Sequence, residues 1–206
     1  MLIKLILAPP LIWTLSQKIF GCDEQKKTLY RSVFPAPLKL LDFGCANGNT
    51  FGAFQDFDYY GVDIDARLIR HAQKVFAGRR NAHFVCADVC SRPFPEKTFD
   101  AILFGTTGHH LEDSLFIKIT RALGEMLRIG GSLHFFDTIR APGEESWLLR
   151  LLIALDQGKF MRTEERYRTM FPTISPLLRP VQTKTTRLRG TLMPQPKYFY
   201  AELRRV

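Results

Sequence analysis

Three carboxylates stand where short apolar runs end: Asp42 after LKLL, Asp63 after YYGV, and Asp88 after HFVCA. Such a cluster is electrostatically costly unless something positive or rich in hydroxyls uses it. A carboxylate after a second strand can accept hydrogen bonds from both hydroxyls of a sugar ring. One after a third strand can accept from the exocyclic amine of a base. Asp42 lies where a ligand's ammonium group could rest. Between the first two comes GCANG, in which Gly44 and Gly48 bracket Cys45, Ala46 and Asn47. Glycines there let the backbone take positive φ and leave room for a ligand. Two further titratable residues, His109 and His110, follow another apolar run, FDAILF. They are the candidates for a general base. Being adjacent, they do not easily face one ligand together. Two neighbouring imidazoles without a third ligand also make a poor metal site, so no metal is expected.

The elements that must position these residues alternate along the chain. LKLL, YYGV, HFVCA, FDAILF and SLHFFDTI read as five strands, and SLFIKITRALGEMLRI reads as a helix ended by Gly130-Gly131. ARLIRHAQKVFAG spaces Leu68, Ile69, Ala72, Val75 and Phe76 at intervals of three and four, as an amphipathic helix does. Residues from Thr50 to Phe54 can open a helix, whose N-terminus would add free N–H groups and partial positive charge to the glycine turn. Residues 144–155 read as one more helix. Residues 182–188 and 198–204 read as two last strands, joined too closely for a crossover helix and therefore antiparallel neighbours. Alternation of this kind gives an α/β fold, a Rossmann-like doubly wound seven-stranded sheet, mostly parallel with an antiparallel last strand. Its ligand is expected beyond the carboxyl ends of the strands.

The chain of 206 residues can bury one sizeable core. Residues 1–37 read as a helical lid or lead-in and residues 38–206 as the domain proper. The formal charge of +9 favours contact with something anionic, although many small domains are this basic. Cys22, Cys45, Cys86 and Cys90 form no CxxC pair and read as reduced thiols of a cytoplasmic protein. The opening MLIKLILAPPLIWTL is apolar but interrupted by Pro9 and Pro10, short of the ~20 apolar residues of a spanning helix. It reads as a lid packed on the domain, with peripheral membrane contact as the alternative.

A ligand with an amino-acid end, a ribose and an adenine, carrying positive charge, fits the layout of carboxylates. S-adenosylmethionine is such a ligand. The chain resembles the class I S-adenosylmethionine-dependent methyltransferases of the small-molecule type, related to the methyltransferases of ubiquinone and menaquinone biosynthesis. The resemblance rests on LLDFGCANGNT, YYGVDID, VCADV, FDAILFGTTGHHLED and LRIGGSLHFFD, in family order across residues 38–138. It implies that Asp42, Gly44, Cys45, Ala46 and Gly48 hold the methionine end, mostly through backbone. Asp63 would bind the ribose and Ile64 would lie against the adenine. Asp88 and Val89 would read the adenine edge, and Phe104 and Gly105 would close the cofactor floor. Ala46 departs from the family's usual middle glycine.

Rival chemistries leave gaps. A dinucleotide dehydrogenase would carry a fuller G-x-G-x-x-G. A DNA amine methyltransferase would be expected to carry a D/N-P-P-Y/F-type tetrapeptide, where this chain has GTTG. A cytosine C5 enzyme would need a cysteine after a proline, and no cysteine here follows one. Two readings stay beside the small-molecule enzyme. One is an RNA methyltransferase, ranked lower because no added RNA-binding module is visible. The other is a non-catalytic binder of S-adenosylmethionine. The acceptor pocket is expected from the N-terminal segment and residues 139–180, with Trp13, Trp147, Phe160, Arg162, Tyr167, Arg168, Met170 and Phe171 as its candidates. Aromatic and basic residues together suit an acceptor with an apolar body and an anionic or hydroxyl group.

Overall fold

A computed structural model describes residues 23–91, 98–147, 149–150, 159–188 and 197–206. The apolar segment 1–15, Trp13, Cys22 and half of the expected helix over 144–155 lie outside those residues. Seven strands form one sheet: β1 (Lys39–Phe43), β2 (Asp58–Asp63), β3 (Ala82–Cys86), β4 (Phe99–Gly105), β5 (Leu127–Ile139), β6 (Leu178–Arg187) and β7 (Lys197–Arg205). Their order is β3-β2-β1-β4-β5-β7-β6. The first five strands pair in parallel, whereas β7 runs antiparallel to both β5 and β6. The strand order reverses between β1 and β4, and a crevice at the carboxyl ends of such a pair is where open α/β sheets hold ligands.

Both faces of the sheet are covered, which is why the central strands read as nearly continuous apolar runs. Alternate residues go to opposite faces. Leu41, Phe43, Ile102, Phe104 and Phe135 pack with α3 (Asp113–Met126) and α4 (Glu164–Ile174) through Phe116, Leu123, Tyr167 and Phe171. Leu40, Leu103, Phe136 and Tyr200 pack with α1 (Asp23–Arg31) and α2 (Ala66–Val75) through Tyr30, Ile69 and Ala72. Tyr30 and Phe34, from the lead-in, thus belong to the same core as the sheet.

Three elements differ from the sequence reading. The helix expected from Thr50 is a five-residue 3-10 helix, Asn49–Ala53, with Gly48 before it at φ 78° and no side-chain cap. So short a turn has little macrodipole to offer. Leu127, Arg128 and Ile129 are the start of β5 and not the end of a helix. Gly130-Gly131 is an irregularity within that strand, where a side chain on Gly131 would meet the Asp100 and Arg128 carbonyls at 2.9 Å. Finally, α4 emerges within residues 139–180, which were read as part of the acceptor pocket. Its Thr163 cap accepts from the Arg166 N–H, and Glu164 and Glu165 fill its first turn. No helix among the described residues is long and apolar enough to cross a membrane.

Candidate active site

The turn after β1 is wound by alternate left-handed residues: Gly44 at φ 76°, Ala46 at 50° and Gly48 at 78°. A side chain on Gly44 would collide with Thr107, and one on Gly48 would come within 2.7 Å of the Phe84 ring. Ala46 adopts the same region with a Cβ, at a cost of roughly 1–2 kcal/mol. Replacing it with glycine returns part of that cost and adds unfolded-state entropy. Ala46→Gly is therefore expected to stabilise the fold by up to about 1 kcal/mol, or about 2–4 °C in melting temperature. A lowered melting temperature would contradict this reading of the turn.

The N–H groups of the turn are already committed. Those of Gly44 and Cys45 donate to the Val62 carbonyl at 2.9 and 3.1 Å, and that of Gly48 donates to the Cys45 carbonyl at 2.9 Å. The Ala46 N–H donates to Asp63 Oδ2 at 2.9 Å. The free donors expected of a helix N-terminus at this turn are therefore not what Gly44, Cys45, Ala46 and Gly48 present. A pyrophosphate needs such donors. With those donors used internally, the turn has little to hold an anion, and the charge beside it is that of Asp42 and Asp63. Cys45 is buried, its thiol pushed well up by burial, so only its backbone can serve a ligand.

Asp42 is buried on β1 and accepts from the Tyr59 hydroxyl at 2.5 Å. Its carboxyl is pushed up to about 7, mainly by burial, with the Tyr59 hydrogen bond opposing and the charge of Asp63 adding. Asp63 ties two elements together: Oδ2 holds the Ala46 N–H and Oδ1 holds the Asp65 N–H at 2.9 Å. A carboxylate has about four acceptor positions, so each oxygen keeps one for a ligand. Asp65 in turn caps α2 through the Arg67 N–H. Beside Asp63, Ile64 is 75% exposed, a bare apolar surface at the end of β2. Asp88 is exposed and folds back on its own turn, accepting from the Cys90 N–H at 2.9 Å and from the Ser91 hydroxyl. The Ser91 bond, first, holds its carboxyl below the usual range. Val89, half-buried, packs under that turn.

At the end of β4 the side chain of Phe104 is fully buried against Phe43, Phe116 and Phe135. It is a core residue, so only its backbone is left to meet a ligand at the end of β4. Gly105 lies under the Tyr30 ring, which a Cβ would meet at 3.1 Å. Thr106 holds φ 48°, a left-handed conformation rarely taken by a β-branched residue outside functional loops. The Tyr30 hydroxyl reaches Thr106 Oγ1 at 3.5 Å. Burial pushes the Tyr30 hydroxyl far up; the Thr106 bond opposes, and the charges of Asp42, Asp137 and Asp23 add to the rise.

The two histidines part ways. His109 is buried, and its Nδ1 lies 2.5 Å from Asp137 Oδ1. Asp137, fully buried near the end of β5, also accepts from the Tyr167 hydroxyl at 2.7 Å and from the Thr138 N–H at 2.9 Å. His110 is exposed, its ring 4.1 Å from that of His109. The structure thus makes His109 a fixed, inward group and leaves His110 the accessible base candidate.

Most of the expected acceptor-pocket residues lie elsewhere. Tyr167, Met170 and Phe171 are core, Arg162 is buried, and Arg168 pairs with Glu164 on α4. Phe160 and Trp147 are exposed. Sequence reasoning missed Tyr30, Asp137 and Thr106. Asp137 carried a readable signal, being a fourth carboxylate at the end of an apolar strand. Tyr30 carried none, since only tertiary packing brings α1 to the crevice.

Comparison with known proteins agrees with this geometry. Residues 40–131 match the family model described as a methyltransferase domain. The chain is 32% identical over 112 residues to a phosphoethanolamine N-methyltransferase of Triticum aestivum, covering 52% of this chain and 22% of that protein. It is 33% identical over 96 residues to an uncharacterized methyltransferase of Mycobacterium bovis, covering 46% of this chain and 47% of that one. The chain therefore spans less than a quarter of the wheat enzyme and about half of the mycobacterial protein. Among solved structures, the N-methyltransferase NodS of Bradyrhizobium japonicum, in complex with S-adenosyl-L-homocysteine, superposes with a TM-score of 0.65 at 18% identity, covering 88% of this chain and 86% of that one. The 1,6-didemethyltoxoflavin-N1-methyltransferase of Burkholderia thailandensis gives 0.69 at 14% identity, covering 95% and 81%. At such identities the structural matches speak for the fold alone. Over residues 40–131 the chain is similar to a methyltransferase domain, and its fold is that of the solved methyltransferases it superposes on.

Proposed function

We propose that this protein transfers the methyl group of S-adenosylmethionine to the nitrogen of a small amine. The observation that carries the choice of an amine is the field around Tyr30. Its hydroxyl is buried beside Thr106 Oγ1, and the nearby charges of Asp42, Asp137 and Asp23 all act on it. Carboxylates gathered at this end of the sheet favour a cation by their charge. The wheat relative and both solved neighbours are N-methyltransferases, which supports the same reading.

The residues fit the cofactor as follows. Asp42, beside the Gly44–Gly48 turn, takes the ammonium end. Asp63 accepts from the ribose hydroxyls, and Ile64 lies against the adenine. Asp88 and the Val89 backbone meet the adenine edge, and the backbones of Phe104 and Gly105 lie below. When bound, the cofactor supplies a methyl already activated on a sulfonium. The protein's part is to align an amine lone pair behind that methyl, exclude water and remove a proton. Alignment alone is worth roughly 7–11 kcal/mol of barrier. His110, exposed beside the crevice, takes the amine proton, and a general base of this kind adds about 10²–10⁴-fold.

Asp42 gives a pH signature. With its carboxyl at about 7, it must lose its proton to pair with an ammonium. Cofactor affinity is then expected to rise with pH between about 5.5 and 7.5, by up to about tenfold per unit below 7. The window stops where an α-amino group itself starts to titrate. Asp42→Asn should be weaker and flat across that window. An affinity independent of pH in the unmodified chain would remove Asp42 from the ammonium.

The acceptor is tested by incubating the protein with methyl-labelled S-adenosylmethionine and a panel of ethanolamine, phosphoethanolamine, a polyamine and a catechol, followed by mass spectrometry. Methylation of an amine is expected. Transfer to the catechol alone, or to none of the amines while the cofactor binds, would overturn the amine reading.

A further inference from the structure

Arg162 has no part in the roles above, yet it is the most heavily bonded buried cation among the described residues. Its side chain is 5% exposed. Nη1 donates to the Gly108 carbonyl at 3.0 Å, Nη2 to the Leu111 carbonyl at 2.6 Å and Nε to Asp113 Oδ1 at 2.8 Å. The guanidinium carbon lies 4.8 Å from the centre of the Phe116 ring and 5.6 Å from that of Tyr167. Two residues earlier, the Phe160 N–H donates to the His109 carbonyl at 3.0 Å. The Arg162 carbonyl accepts from the Arg140 N–H at 2.9 Å, which pins the segment to the end of β5.

These bonds converge on one loop. Segment 160–162 holds the carbonyls of Gly108, His109 and Leu111, and so fixes the backbone on both sides of the histidine pair. The side chain of His109 is held by Asp137, and Asp137 is held by Tyr167, whose ring lies against the Arg162 guanidinium. One residue thus controls the backbone of the histidine loop directly and the His109 ring at two removes. A buried cation is a poor means to stability, since an apolar replacement of similar volume often serves as well. A planar fork with fixed donor angles provides geometry that a lysine cannot.

We propose that Arg162 is a positioning residue for methyl transfer: it locks residues 108–111 so that His109 stays on Asp137 and His110 is held at the acceptor side of the crevice. The role rests on the methyltransferase reading above. It also ties residues 160–162, just before α4, to that loop.

The full chain is compared with Arg162→Lys and with Asp113→Asn, a change at a half-exposed partner that leaves the core intact. Three quantities are read: affinity for S-adenosylhomocysteine by calorimetry, kcat and KM with the amine that turns over, and the proton resonance of His109 Nδ1–H. A 2.5 Å bond to Asp137 holds that proton far downfield and slow to exchange. In Arg162→Lys the affinity is expected within about twofold and KM within about threefold, while kcat falls at least about tenfold. In Asp113→Asn kcat falls a few-fold, and the downfield line broadens or disappears in both variants. A variant with a lowered melting temperature but unchanged kcat and an intact line would overturn the proposal, because Arg162 would then be a structural residue only. If Arg162→Lys does not fold, Asp113→Asn decides by the same criteria. If no amine turns over, the acceptor reading fails by itself, and the resonance still decides the role of Arg162.

Discussion

Asp63→Ala is expected to weaken S-adenosylmethionine binding by on the order of 100-fold, about 3 kcal/mol. Two losses combine in that figure. The ribose loses a charged acceptor, and hydrogen bonds to charged groups are worth roughly 1.5–3 kcal/mol each. The glycine turn also loses its tether, since Asp63 is what holds the Ala46 N–H and the start of the loop before α2. Asp63→Asn separates the two: it keeps an acceptor for the turn and loses the charge at the ribose, so its affinity should fall between. Calorimetric titration measures both variants. An unchanged dissociation constant in Asp63→Ala would remove the ribose role and leave Asp63 as a loop anchor.

The second large effect is on stability. Asp137→Ala is expected to cost about 3–5 kcal/mol, because it strands His109 Nδ1 and the Tyr167 hydroxyl in a dry core. For a chain of this length that lowers the melting temperature by roughly 10 °C. Asp137→Asn keeps an acceptor oxygen for one partner and should cost less, yet turnover should still fall steeply, since the amide turns an N–H₂ group toward a second donor. Thermal melts followed by circular dichroism give the first number and initial rates the second. A melting temperature within a degree or two of the unmodified chain would show that the network around Asp137 contributes little.

The strands were readable because the physics that makes them is local. LKLL and FDAILF are buried on both faces, so they leave continuous apolar runs, and each is followed by a residue type that a strand tolerates poorly. The carboxylates at strand ends were readable for the same reason. What escaped the sequence depends on packing between distant segments. Tyr30 enters the crevice only because α1 lies across Gly105 and Phe136. Arg162 looks like one more charge in a basic stretch until Gly108 and Leu111 are brought to it. Glycine was misleading in two places: Gly130-Gly131 resembles a helix stop and is a kink within β5, and GNTFGAF begins as a helix would but closes after one 3-10 turn. The aromatic residues assigned to an acceptor pocket illustrate the opposite limit. Tyr167, Met170 and Phe171 occupy one face of α4, and a face that buries itself on a sheet looks, in sequence, like a face that binds a ligand.

The most direct test is calorimetric titration of the full chain, at about pH 7.5, with S-adenosylmethionine and separately with NAD. The turn after β1 commits the N–H groups of Gly44, Cys45, Ala46 and Gly48 internally and lies beside Asp42 and Asp63, so saturable binding of S-adenosylmethionine and none of NAD is expected. Binding of NAD, or of neither, would contradict a crevice built for a cationic cofactor.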